Sequence, residues 1–146
     1  MLSRVKLTLL AFALTGSILS CASGGPTKTI PVKFGKATLK AEVAKSELER
    51  EHGLMYRRDL GPDEGMIFIF DQAEEANFWM KNTPLPLSIA FLDEKKVVLN
   101  IDEMAPYDEH TFHRSKGKAA FAVEANKNWF EAKGIRAGDK ASFELP

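Results

Sequence analysis

The segment Phe78-Trp79-Met80-Lys81-Asn82 holds the most distinctive chemistry of the chain. On an extended strand Phe78, Met80 and Asn82 share one face, and Trp79 and Lys81 share the other. Trp79 would then offer an aromatic surface and Lys81 a charge, a pairing suited to sugar rings, peptides or an anionic group. The same spacing also suits a core strand with Trp79 packed and Lys81 snorkelling outward. The run Asn82-Thr-Pro-Leu-Pro86 reads equally as turn chemistry. Arg57 and Arg58 precede Asp59, and a guanidinium fork matches a carboxylate or phosphate. Arg57 is therefore expected to meet an anionic ligand or to pair with Glu124 or Asp139. Glu124 follows the apolar Phe121-Ala-Val123, a setting that calls for a partner.

Other candidates carry less. Met55, Met66 and Met80, with His52 close in sequence, could bind Cu(I) through thioethers and imidazole. They form no tight Met cluster, and isolated methionines beside apolar runs fill cores. His110-Thr-Phe-His113, flanked by Asp108 and Glu109, is the other metal-like group, and it lies in a polar connection after Pro106. Nucleophile-elbow, phosphate-loop and dinucleotide signatures are absent. Asp71, Asp93, Asp102 and Asp139 could converge for paired-carboxylate hydrolysis, but spacing does not choose among them. Gly134-Ile-Arg-Ala-Gly138-Asp139 reads as a tight turn into a last strand. No cofactor is expected.

Short strands must position these residues. Ile30–Phe34 and Ala37–Ala44 read as a hairpin around Gly35. Ser46-Glu-Leu-Glu49 matches a capping box, and Gly53 is placed to end the helix it starts. Gly65–Phe70 is a continuous apolar run, the mark of a strand buried on both faces. Further strands are expected at Ala76–Lys81, Leu87–Asp93, Val97–Asp102, Lys118–Ala125 and Ala141–Leu145. Asn126 is expected to cap a second helix running to Gly134. The fold class is mainly β (α+β): a compact, mostly antiparallel β barrel or folded sheet with two short helices.

The chain has 146 residues, 45% hydrophobic and 27% charged, with 20 basic and 20 acidic side chains, which bounds it to one globular domain with no general pull toward nucleic acid. A single cysteine excludes an internal disulfide framework and a Cys-based zinc site. Arg4 and Lys6, the apolar Leu7–Leu14 and the small residues up to Ser20 have the order of a secretory leader. Ile18-Leu-Ser-Cys21 resembles the lipobox of bacterial lipoproteins, with acylation of Cys21 as what that resemblance implies. Removing Arg4 and Lys6 with the leader leaves 18 basic against 20 acidic side chains. Ala22 after the cysteine, by resemblance to Gram-negative sorting rules, favours the outer membrane, facing the periplasm. The organisation is thus a leader at 1–20, a flexible tether at 21–29 and one β-rich domain at 30–146.

Arg50-Glu-His-Gly-Leu-Met-Tyr-Arg57, Gly65-Met-Ile-Phe-Ile-Phe70 and Phe78-Trp-Met-Lys-Asn-Thr-Pro-Leu-Pro-Leu87 occur in order, followed by Ala120-Phe-Ala-Val-Glu-Ala125 and Gly134-Ile-Arg-Ala-Gly-Asp139. This set, over about Val43 to Asp139, resembles the domain of unknown function 192 family of small, often exported prokaryotic proteins. Two positions depart from its pattern: Ser88 stands where Asp is usual, and Asn126 where Gly is usual. The resemblance implies a small β-rich fold and no established activity. The reading that results is a membrane-tethered envelope lipoprotein domain. It binds a small polar or anionic ligand, or a protein partner, through Arg57, Trp79, Lys81, Asn82 and Glu124, with Glu124 orienting Arg57. An envelope hydrolase or metal-binding protein is the alternative.

Overall fold

The computed structural model describes residues 28–146. The expected leader, the lipidation site Cys21 and the tether as far as Thr27 lie outside the described residues. Nine strands and two helices follow in order: β1 (Thr29–Phe34), β2 (Ala37–Ala44), α1 (Glu47–His52), β3 (Glu64–Glu74), β4 (Asn77–Phe78), β5 (Leu87–Leu92), β6 (Val98–Met104), β7 (His113–Arg114), β8 (Ala119–Asn126), α2 (Trp129–Ala132) and β9 (Ala141–Ser142). Among the described residues no helix is long and apolar enough to cross a membrane.

Seven strands form one sheet in the order β6-β5-β8-β3-β2-β1-β9, and β4 pairs with β7 in a separate two-stranded ribbon. The sheet curls into a half-barrel. Its two edges meet where Val97 bridges Lys140, with the Val98 N–H donating to the Asp139 carbonyl at 2.8 Å. The mainly β class and the two short helices are as the sequence indicates. One pair departs from the antiparallel pattern: β2 and β3 run parallel. Parallel neighbours need a crossover, and α1 supplies it. Ser46 closes the capping box with Glu49, and Gly53 ends the helix at φ 49°.

Both faces of the central strands are covered, which explains the unbroken apolar run of β3. Ile67 and Ile69 point into the half-barrel with Val32, Leu39, Val123 and Phe130. Met66 and Phe68 point outward into a second core with Leu54, Met80, Ile89 and Phe91. Helix α2 plugs the inner core, where Phe130 meets Phe34 edge-on with ring centroids 5.7 Å apart. The ribbon β4–β7, the end of α1 and the turns on either side of β4 form the outer cover.

Several elements differ from the sequence reading: the last strand, expected over Ala141–Leu145, is only Ala141–Ser142, and the short strand β7 at His113–Arg114 has no counterpart in it. The strand expected over Ala76–Lys81 contracts to Asn77 and Phe78, because the chain turns at Met80–Asn82 and Asn82 adopts a φ of 51°. Asn126 is not a helix cap. It stays in β8 opposite Leu87 and donates its side-chain amide to the carbonyl of Gly61 at 2.8 Å. Asn128, at φ 65°, makes the turn into α2 instead.

Candidate ligand-binding cleft

A cleft of about 300 Å³ opens on the outer face, between the end of α1, β3, β4 and the turn that follows β4. Phe68, Phe70 and Phe78 wall it, Trp79 and His52 stand among its lining residues, and Glu124 is part of its floor. The three phenylalanines interlock edge-on: Phe68 and Phe78 lie 4.9 Å apart by ring centroid, and Phe70 and Phe78 lie 6.4 Å apart. Alternation along β3 produces two of these walls, since Phe68 and Phe70 share a face two residues apart.

Glu124 reaches the floor because β8 lies between β3 and β5, where its backbone neighbours are the apolar Met66 and Ile89. Close strand approach depends on Gly65, where a Cβ would come within 2.1 Å of the Glu124 carbonyl oxygen. The Glu124 residue is only 5% exposed. No described residue donates a hydrogen bond or an ion pair to its carboxyl group. Burial alone, with no compensating charge, raises its pKa from 4.5 to about 8, so the group is largely protonated at neutral pH. Buried ionisable groups ordinarily have partners, which makes this one the chemical focus of the cleft.

The expected Arg57–Glu124 pair does not form. Arg57 donates to Glu42 on β2 at 2.7 Å, an interaction that raises the Arg57 pKa. Neither does Arg57 meet Asp139, whose carboxylate accepts the Arg136 N–H at 2.9 Å within the turn before β9. Trp79 and Glu124 do share the cleft. Trp79 is 41% exposed, stacks on Phe112 with centroids 6.2 Å apart, and has the Lys81 ammonium 5.3 Å from its centroid. Lys81 lies outside the cleft lining. Asn82 is turned away as well, donating its side-chain amide to the Tyr56 hydroxyl at 2.8 Å.

The remaining candidates have other occupations. Met66 and Met80 are buried in the outer core, and Met55 lines the cleft. His110 is exposed, while His113 is buried with Nδ1 3.5 Å from Asp102. Asp108 is held down to about 2, chiefly by the Thr111 hydroxyl and then by the N–H groups of His110 and Thr111. Among the described residues no three His, Cys, Asp or Glu side chains gather as a metal site. Asp71 pairs with Arg50 at 3.3 Å, and Asp93 caps the β5–β6 turn through Lys95 and Val97. These carboxylates serve separate places. At Ser88 the hydroxyl donates to Glu103 at 2.6 Å and accepts from the Asn128 N–H at 2.8 Å, so Glu103 supplies the carboxylate there.

Fold and cleft together define a small half-barrel domain with a buried acid under an aromatic-walled opening. A family model, DUF192, described as an uncharacterized ACR, matches residues 30–143, and the chain belongs to this family. No curated protein matches it at a significant level. Among solved structures it is similar to a candidate transcription regulator from Sinorhizobium meliloti, at 30% identity and a TM-score of 0.78 over 83% of this chain and 98% of that one. It is similar as well to a protein of unknown function from Novosphingobium aromaticivorans, at 35% identity and a TM-score of 0.75 over 84% of this chain and 89% of that one.

Proposed function

We propose that this protein is a membrane-tethered domain of the cell envelope that binds a small polar ligand in the cleft above Glu124. One observation carries the binding half: a buried glutamate whose carboxyl group has no partner among the described residues, on the floor of an aromatic-walled opening. Such a group costs stability unless something else satisfies it, and a bound ligand would. The opening is at the small end of the size range of ligand pockets. Binding is favoured over turnover because the cleft lining holds no nucleophile–base pair. The Thr83 hydroxyl there is committed to the Lys81 carbonyl at 2.9 Å. An anionic ligand is disfavoured, since Arg57 is turned to Glu42 and the floor is acidic. The envelope half rests on the basic, apolar, small-residue order of residues 1–20 and on Cys21.

Ligand-detected NMR on the whole mature domain, with benzyl alcohol, benzylamine, benzoate and N-acetylglucosamine as probes, tests the cleft. At least one neutral or cationic probe is expected to bind and to be lost in both Glu124→Leu and Trp79→Ala. Failure of all four probes, or binding indifferent to both substitutions, would reject the cleft. For the tether, Cys21→Ala is expected to free the protein from membranes. Unchanged mass and membrane partition would end that reading.

A further inference from the structure

Resting on the cleft reading, we propose that the ligand is a protonated amine, its N–H groups donating to the Glu124 carboxylate and its carbon body lying among Phe70, Phe78 and Trp79. Each part of the opening selects for this chemistry. A carboxylate with free acceptor positions satisfies an ammonium donor, and charge-assisted bonds are the strong ones. Aromatic faces around the same space attract a cation through their quadrupoles, most strongly when it is desolvated. Among the described residues no cation is brought to the floor. The Arg50 guanidinium, which belongs to the lining, is engaged by the Ile69 carbonyl at 3.1 Å, by the Lys45 carbonyl and by Asp71.

The groups facing Glu124 give the same sign. Its strand neighbours Met66 and Ile89 are apolar, and Thr83 from the turn after β4 is neutral. The helix end contributes Arg50, Glu51 and His52, and the far half of β3 contributes Glu74. With Arg50 already occupied, the charged lining is acidic. A neutral Glu124 must ionise to hold an ammonium, so arrival of the amine sends the carboxyl proton to solvent, and the ion pair replaces a protonated acid. Burial, which raises the Glu124 pKa, makes that exchange visible near neutral pH.

The test is calorimetry of the mature domain with benzylamine and with its uncharged counterpart benzyl alcohol, in two buffers of different ionisation enthalpy at neutral pH. Benzylamine is expected to bind at least about tenfold more tightly than benzyl alcohol. It should release close to one proton, and Glu124→Gln should abolish both the preference and the release. Circular dichroism of Glu124→Gln checks folding. If that variant does not fold, Trp79→Ala takes its place and is expected to weaken benzylamine binding. Equal binding of the two probes, or a preference for benzylamine that survives Glu124→Gln, would overturn the amine proposal and leave the cleft standing. Binding of neither probe to the wild type would overturn the amine proposal, and the cleft reading falls with it only when benzoate and N-acetylglucosamine fail to bind as well.

Discussion

The two faces of the central sheet are built to different rules. Inside the half-barrel, Val32, Leu39, Ile67, Val123 and Phe130 pack without a polar group among them. Of the five buried polar residues among those described, Thr83, Asn100, His113 and Glu124 lie on the outer side, and the fifth, Ser88, is bonded to Glu103. Most of the outer four are structural. Asn100 donates to the Arg114 carbonyl and accepts from the Lys116 N–H, which pins the β4–β7 ribbon to the sheet. His113 leaves Nε2 without a partner, but that atom is sealed from solvent. Among the described residues Glu124 alone combines burial, lack of a partner and access to an opening. Both faces carry a buried apolar core, and the outer one, covered by short elements and turns, also retains room for chemistry.

Truncation on each face separates these roles most strongly. Phe130 is fully buried where α2 plugs the half-barrel. Phe130→Ala is expected to cost about 3–5 kcal/mol in denaturant unfolding, the range for large aromatic truncations in cores. Trp79→Ala, on the exposed rim, is expected to cost less than about 1 kcal/mol while removing ligand binding. If the rim substitution destabilised as much as the core one, the division of labour between the faces would fail.

The next effect lies in pH. Folding moves the Glu124 pKa up from 4.5 to about 8. Between those values the folded protein keeps a proton that the unfolded chain has released, so stability falls as pH rises through the window and levels off above about 8. Glu124→Gln removes the titrating group. Unfolding curves at about pH 5 and about pH 9 should therefore lose less stability in the variant, by on the order of 2–4 kcal/mol. Identical pH profiles for wild type and variant would mean that the carboxyl is hydrated through the cleft rather than desolvated.

Local rules made much of this fold legible. The capping box at Ser46, the stop at Gly53 and the run Gly65–Phe70 each contain their own signal within a few residues. The site was legible only as an inventory. Trp79 and Glu124 stand out by residue type, but their meeting depends on β8 inserting between β3 and β5, where Glu124 pairs with Met66 and Ile89, 58 and 35 positions away, which no local pattern encodes. The missed walls, Phe68 and Phe70, had a usable signal: a strand buried on both faces sends alternate residues to a second layer, and two aromatics on one alternation mark where that layer is thick. Asn82 misled because asparagine tolerates positive φ and turns the chain where an extended strand was the simpler reading. Asn126 misled as a cap because β8 continues through it, and Asn128, at φ 65°, makes the turn two residues later.

Arg57 sharpens the contrast at the smallest scale. The sequence offers it as the anion-binding fork of the site, yet its guanidinium is spent on Glu42 of β2, at 2.7 Å and with both side chains partly exposed. Partly exposed pairs are weak, so Arg57→Ala is expected to cost only about 0.5–1 kcal/mol, an effect that shrinks as salt is raised. Benzylamine affinity should stay within about twofold of wild type, because the pair lies outside the cleft lining and single exposed charges act weakly through solvent. A small stability loss with unchanged binding would confine ligand recognition to the wall-and-floor set around Glu124. A tenfold change in affinity would instead draw β2 into the site and dissolve the boundary between the inner strands that hold the fold and the outer layer that meets the ligand.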